Sequence, residues 1–155
     1  MEINISAIGI LHTDHKTKDE APIQGAFDPD AKGIVEIFPE FAEGLKDIEL
    51  FSHIYLFYHF DRAEPGALIR HPFLDDTPHG IFATRHPCRP NGIGITVVRL
   101  VERNGNRLRV TGIDVLDGTP LLDIKPYVPR FDCHPEASEG WFAGKDSRRK
   151  PSGRE

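Results

Sequence analysis

The stretch Ile93-Gly-Ile-Thr-Val-Val-Arg-Leu-Val-Glu102 decides the fold. Side chains of an extended chain alternate between two faces, so Ile93, Ile95, Val97 and Val101 share one side and Val98 and Leu100 the other. A strand that is apolar on both sides needs cover on both. Ser52 to Phe60 has the same property, with Ile54, Leu56, Tyr58 and Phe60 opposite Tyr55 and Phe57. In a chain of 155 residues, such two-sided burial predicts a sheet closed, or nearly closed, into a barrel. Its outer face would pack on a helix, a loop or a second subunit. A homodimer is the expected assembly.

The rest of the pattern agrees. Ile3 to Leu11, Gly33 to Phe38, Gly80 to Thr84, Arg107 to Asp114 and Leu121 to Lys125 are short β-branched or aromatic runs with turn signals between them. Asn104-Gly105-Asn106 is a hairpin signal, because Asn and Gly tolerate the positive φ of tight turns. Asp117-Gly118-Thr119-Pro120 marks another turn, with Asp117 expected to bond its own backbone. Only Pro39 to Asp47 reads as helix, with Phe41 and Leu45 spaced i, i+4. Thr13 to Lys32 and Asp61 to His79 are long loops rich in Pro, Gly and charge. The expected fold is therefore mostly β: a single-sheet barrel with one short helix and long loops, occupying residues 1–139. Residues 140–155 read as a flexible basic tail.

No apolar run approaches the ~20 residues needed to span a bilayer, and Met1-Glu-Ile-Asn4 lacks the features of a secretory signal. A cytoplasmic protein is expected. Cys88 and Cys133 lie in no Cys-x-x-Cys pair, which argues against a disulfide framework or a four-thiolate zinc site. The net charge of −5 is uneven, since Lys145 to Glu155 holds five Lys/Arg against two Asp/Glu and leaves −8 elsewhere. Such a body does not coat DNA broadly, but it leaves room for local arginine clusters facing phosphate.

The densest cluster of chemistry-bearing residues is Thr84-Arg-His-Pro-Cys-Arg-Pro-Asn-Gly92. Its two prolines fix the backbone, which lowers the entropic cost of holding Arg85, Arg89 and Asn91 in place. Gly92-Ile-Gly94 opens a strand and has no third glycine, so it is not a Rossmann fingerprint. Asp114 follows a strand and is placed to accept hydrogen bonds from a nucleoside. Asp123 is placed to pair with a barrel arginine, and Lys125 reads as a satisfied rim charge. His71, His79 and His86 match no zinc spacing, and a metal site is not expected, although a metal-dependent hydrolase remains an alternative.

The blocks Gly80 to Leu100 and Gly112 to Pro129 strongly resemble the TrmO-like, or TsaA-like, tRNA methyltransferases. Ile8 to Leu11, Ala21 to Gly25 and Gly44 to Phe60 extend the resemblance to nearly all of residues 3 to 130. It implies a non-Rossmann β-barrel that binds S-adenosylmethionine, usually as a dimer with sites near the subunit interface. It further implies N6-methylation of threonylcarbamoyl-adenosine at position 37 in the tRNA anticodon loop. Carried over by motif, the cofactor-binding residues are Gln24, Gly25, Ala26, Asp61, Arg62, Arg85, Ile95, Gly112, Ile113, Asp114, Val115 and Leu116. Arg85, Arg89, Asn91, Asp114 and Tyr127 are the candidate catalytic residues. The sequence departs from the family in having Gly92 where a proline is usual and His86 where a serine is commoner. The resemblance also reads no counterpart of the small C-terminal domain that many bacterial members carry. A barrel that binds S-adenosylmethionine or a nucleotide without catalysis is the second alternative.

Overall fold

The computed structural model describes residues 1–145 apart from 18, 22–25 and 27. Its contacts group into two compact units, one made of the described residues of Met1–Arg62 and Ile93–Tyr127, the other of Ala63–Gly92 and the described residues from Val128 to Lys145.

The first unit is a closed antiparallel barrel. Its strands are β1 (Gly9–Thr13), β2 (Lys32–Ile37), β3 (His53–His59), β6 (Ile93–Asn104), β7 (Arg107–Thr111) and β8 (Thr119–Pro126), in the order β1-β2-β7-β6-β3-β8. Leu11, Val35, Ile54, Leu56, Val98, Leu108, Val110 and Leu121 point inward and form its core. The two-sided strands alternate as their sequence predicts, while the expected cover of the outer face is not seen on β6. Gly94, Thr96 and Val98 face in, while Ile93, Ile95 and Val97 face out and remain 43%, 42% and 39% exposed. Tyr55 pairs with Val97 and Phe57 with Ile95, so the outer face carries an apolar patch across β3 and β6. The second glycine of the Gly-x-Gly pair is explained by this packing. A Cβ on Gly94 would lie 2.2 Å from Cε2 of the Tyr58 ring.

Three local expectations are corrected. The run from Ile3 makes no strand before its end: the first cross-strand bonds are at Ile8, whose amide donates to Leu121 O at 2.8 Å and whose carbonyl accepts from the Phe38 amide at 2.9 Å, and β1 proper begins at Gly9. Gly80 to Thr84 is a 3₁₀ turn over Ile81–Ala83, in which both the amide and the hydroxyl of Thr84 bond back to Ile81 O. The expected helix is likewise 3₁₀, over Pro39–Leu45. With three residues per turn, positions four apart no longer share a face. Leu45 is therefore buried while Phe41 is exposed.

The second unit holds the short strands β4 (Ile69–Arg70) and β5 (His79–Gly80), which pair with each other, and a one-turn helix α1 (Pro129–Asp132). Residues just past the expected tail boundary at 140 are built into this unit. Gly140–Phe142 forms a 3₁₀ turn, Trp141 Nε1 donates to Ala83 O at 2.7 Å, and the indole stacks on His79 at 4.5 Å. His79 Nε2 and Lys145 Nζ both reach Asp75, at 2.9 and 3.1 Å. The remainder of the basic tail, residues 146–155, lies outside the described residues.

Candidate functional site

Within the barrel unit, the segment following β7 is anchored at both ends. Gly112 takes φ +84, and its amide donates to Ala31 O at 2.8 Å, so the chain turns sharply off the strand. Ile113 and Val115 then plug into the core, which leaves Asp114 between them and Leu116 after them half-buried. Asp114 Oδ1 accepts from Thr96 Oγ1 at 2.5 Å. Thr96 Oγ1 is also 2.9 Å from Tyr58 Oη. Since the threonine proton is committed to the carboxylate, the tyrosine is the donor of this second bond. Three elements thus contribute to one chain of hydrogen bonds, Tyr58 to Thr96 to Asp114, on the inward side of β3 and β6.

The other end of the segment is tied to the residues after β3. Thr119 Oγ1 donates to Leu116 O at 2.7 Å and accepts from Arg62 Nη2 at 3.2 Å, while Arg62 Nε contacts Asp61 at 3.3 Å. Asp61, Arg62 and Gly112 to Leu116, all expected around the cofactor, therefore form one linked group. Ile95 neighbours Thr96 in sequence but faces outward. Tyr127 also lies with the outer face, against His53 and Tyr55 with ring centroids 6.3 and 5.6 Å apart. Ala26 is exposed, and Gln24 and Gly25 lie outside the described residues.

The second unit carries the arginine loop, which is laced by hydrogen bonds among its own residues. The His86 amide donates to Thr84 Oγ1, the Cys88 amide to His86 Nδ1 and the Gly92 amide to Arg89 O. Arg89 Nη1 donates to Thr84 O at 3.0 Å and to His86 O at 3.3 Å, so this guanidinium braces its own loop. Arg85 and Asn91 are exposed. Gly92 takes φ +59, a value closed to the proline usual at this position.

Two carboxylates have partners other than those expected. Asp117 Oδ1 accepts from the Thr13 amide and Oδ2 pairs with Lys16 at 2.6 Å, so Asp117 clamps the end of β1 instead of bonding its own turn. Those contacts, Lys16 first, lower its pKa. Asp123 pairs with Lys125 at 3.3 Å and accepts from the Ile124 amide, not from a barrel arginine. Thr96, Tyr58 and Thr119 escaped the sequence reading. Thr96 was legible only as a polar interruption of an apolar strand face, and nothing in the sequence connects it to Asp114.

No three His, Cys, Asp or Glu side chains among the described residues form a group that could hold a metal ion. No helix among them is long and apolar enough to cross a membrane.

A closed six-stranded antiparallel barrel with a hydrogen-bonded carboxylate beside its inward face is a class of fold distinct from doubly wound nucleotide-binding sheets. The family model of the tRNA-methyltransferase O N-terminal domain matches residues 10–133, and the chain belongs to that family. It is 58% identical over 135 residues to a Pyrococcus abyssi protein named a probable S-adenosyl-L-methionine-binding protein, covering 87% of this chain and 73% of that one. It is 32% identical over 144 residues to the tRNA (adenine(37)-N6)-methyltransferase of Escherichia coli K12, covering 86% of this chain and 61% of that one. A crystal structure of TrmO superposes with a TM-score of 0.80 at 40% identity, over 91% of this chain and 64% of the other. TrmO from Pseudomonas aeruginosa gives 0.76 at 40% identity, over 90% and 62%. The chain thus spans less than two thirds of the solved TrmO chains.

Proposed function

We propose that this chain is an S-adenosylmethionine-dependent tRNA methyltransferase acting on N6 of threonylcarbamoyl-adenosine at position 37 of the anticodon loop. The observation that carries the reading is the linked group of Asp114, Thr96, Tyr58, Asp61, Arg62 and Thr119 on a barrel of the TrmO family. Its donor set suits the cofactor. Carboxylates match ribose hydroxyls and an ammonium, a guanidinium matches a carboxylate, and the backbone of Gly112 to Leu116 offers edges for an adenine. Bound there, S-adenosylmethionine supplies an electrophilic methyl on a sulfonium.

The side chains then have to align the acceptor and exclude water, and no nucleophilic residue is required. Adenosine N6 is a weak nucleophile, its lone pair being delocalised into the ring. Asp114, fixed by Thr96, orients the nucleoside and takes the N6 proton as the methyl arrives. Arg85 and Asn91, exposed on their own loop, have the guanidinium and amide that hold an anionic or polar edge. Arg89 holds that loop in shape. Tyr127 supplies a ring for a splayed anticodon-loop base. The apolar patch of Ile93, Ile95, Val97, Tyr55 and Phe57 supports a homodimer, and the reaction takes place in the cytoplasm.

The names of several relatives mention only S-adenosylmethionine binding, which favours a non-catalytic barrel as the second reading. One assay separates the two. The protein is incubated with radiolabelled S-adenosylmethionine and total tRNA, with and without chelator, and the digested RNA is searched for labelled N6-methylated threonylcarbamoyl-adenosine. Cofactor binding without label supports the sensor; no cofactor binding overturns both readings. Loss of label with chelator alone points to a metal requirement.

A further inference from the structure

The registers of four adjacent strands place one row of side chains across the outer face of the barrel. His53 on β3 pairs with Arg99 on β6, Arg99 with Thr111 on β7, and Thr111 with Lys32 on β2. Inward positions on these strands are occupied by Ile54, Val98, Val110 and Gly33, so all four members of the row point outward. Strands lie about 4.8 Å apart, and the row therefore runs about 14 Å from Lys32 to His53.

The charge of this row is distinctive. Other arginines on the same outer surface are matched by carboxylates: Arg103 with Glu49, Arg107 with Glu36, and Arg109 with Glu102. Lys32 and Arg99 have no carboxylate partner among the described residues, and both are exposed. Thr111 between them adds a hydroxyl, and His53 adds an imidazole whose Nδ1 lies 2.8 Å from Ser52 Oγ. At one end the row abuts Gly112, the start of the candidate cofactor segment. At the other end the amide of Tyr127 donates to His53 O at 3.1 Å, and its ring packs against Tyr55. In a body whose net charge is negative, two unneutralised cations flanking Thr111, with an aromatic cluster at one end of the row, have the composition of a track for a nucleic-acid backbone. Cations neutralise successive phosphates there, and rings receive a base.

We infer that Lys32, Thr111, Arg99 and His53 form a phosphate track for the RNA substrate, running from the Gly112 segment to Tyr127. The inference rests on the tRNA reading above, and its test separates the two. Binding of tRNA that carries threonylcarbamoyl-adenosine at position 37, the same tRNA used for methyl transfer, is measured as a function of salt for the wild-type chain, for Lys32→Gln/Arg99→Gln, and for Arg107→Gln/Arg109→Gln. The second double variant removes the same charge from carboxylate-paired positions. S-adenosylmethionine affinity serves as the check on folding, and methyl transfer by the wild type is assayed in parallel.

The track predicts that the first double variant binds tRNA roughly tenfold or more weakly at low salt. It also predicts a salt slope shallower by about 1.4 to 1.8, the value for two lost phosphate contacts. The Arg107/Arg109 variant should lose much less, and Lys32→Arg/Arg99→Lys should restore binding. Equal weakening by the two glutamine pairs would mean a general field and overturn the track. Unchanged binding in the first pair, with tRNA methylated by the wild type, would overturn the track and leave the enzyme reading intact. The predicted binding losses without methyl transfer would support the track and remove the enzyme reading. A wild-type chain that binds no tRNA overturns both.

Discussion

Thr96 Oγ1 donates to Asp114 Oδ1 at 2.5 Å, and this single bond joins the middle of β6 to the segment that leaves β7. A hydrogen bond onto a charged group contributes about 1.5–3 kcal/mol, which corresponds to roughly 10- to 100-fold in a rate when the carboxylate must be oriented. Thr96→Val keeps the shape and removes the donor. Methyl transfer should fall by that factor while S-adenosylmethionine still binds, and Thr96→Ser should recover most of it. Steady-state kcat on tRNA for the three proteins checks this; full activity in the valine variant would separate Asp114 from the chemistry.

Gly92→Pro installs the residue usual in the family, yet the ring holds φ near −65° where this chain has +59°. It also removes the amide that donates to Arg89 O at 3.2 Å. We expect a loss of more than about 1 kcal/mol, or at least ~2–4 °C in a domain of this size. Thermal unfolding measures it. An unchanged or raised midpoint would show that the loop does not depend on the left-handed turn.

Trp141 is the only tryptophan, and its indole stacks on His79, which Asp75 holds together with Lys145, so its fluorescence reports on this cluster. Hydrogen bonds from His79 and then Lys145 hold the Asp75 carboxyl far below the usual carboxylate range. A depressed carboxylate stabilises the fold fully above its unfolded pKa, and this contribution disappears as pH falls through the folded value. The Trp141 emission should therefore stay native through pH 4 and change only in stronger acid. Asp75→Asn should shift the emission even at neutral pH. A transition centred near pH 4 in the wild type would contradict the assigned contacts.

Ile95→Glu/Val97→Glu places two charges in the exposed apolar patch on β6. If that patch is the subunit interface, the pair should convert a dimer to a monomer in sedimentation velocity with little effect on unfolding of the barrel. A variant that sediments with the wild type would exclude this face.

The barrel was legible because the apolar character of both faces of β3 and β6 is written in consecutive residues. Asn104-Gly105-Asn106 likewise declared its hairpin, with Gly105 at φ +62. What was not legible depends on partners. Ile3 and Ile5 alternate like a strand, but no neighbouring strand extends to pair with them. Phe41 and Leu45 carry helical spacing, and only the winding of the turn decides which one is buried. The site divides in the same way. Asp114, Asp61 and Arg62 were found as residue types in a motif, whereas Thr96 and Thr119, which hold them, are separated from their partners by tens of residues or by the opposite side of a strand. Arg89 stands out in sequence as a guanidinium between two prolines, whereas its bracing of the loop is seen only in its two carbonyl contacts.

The outward face of β6 also bears on the chain before it is folded. Ile93 to Val98 is a run of high β propensity without proline or charge, the composition that pairs readily with copies of itself. Arg99, Glu102 and Arg103 follow directly and interrupt it, as charges flanking an aggregation-prone segment do. In the unfolded chain these three charges are placed to oppose self-association before β3 and β7 cover the edges of β6, and their replacement should lower the soluble yield even where the finished barrel would tolerate it.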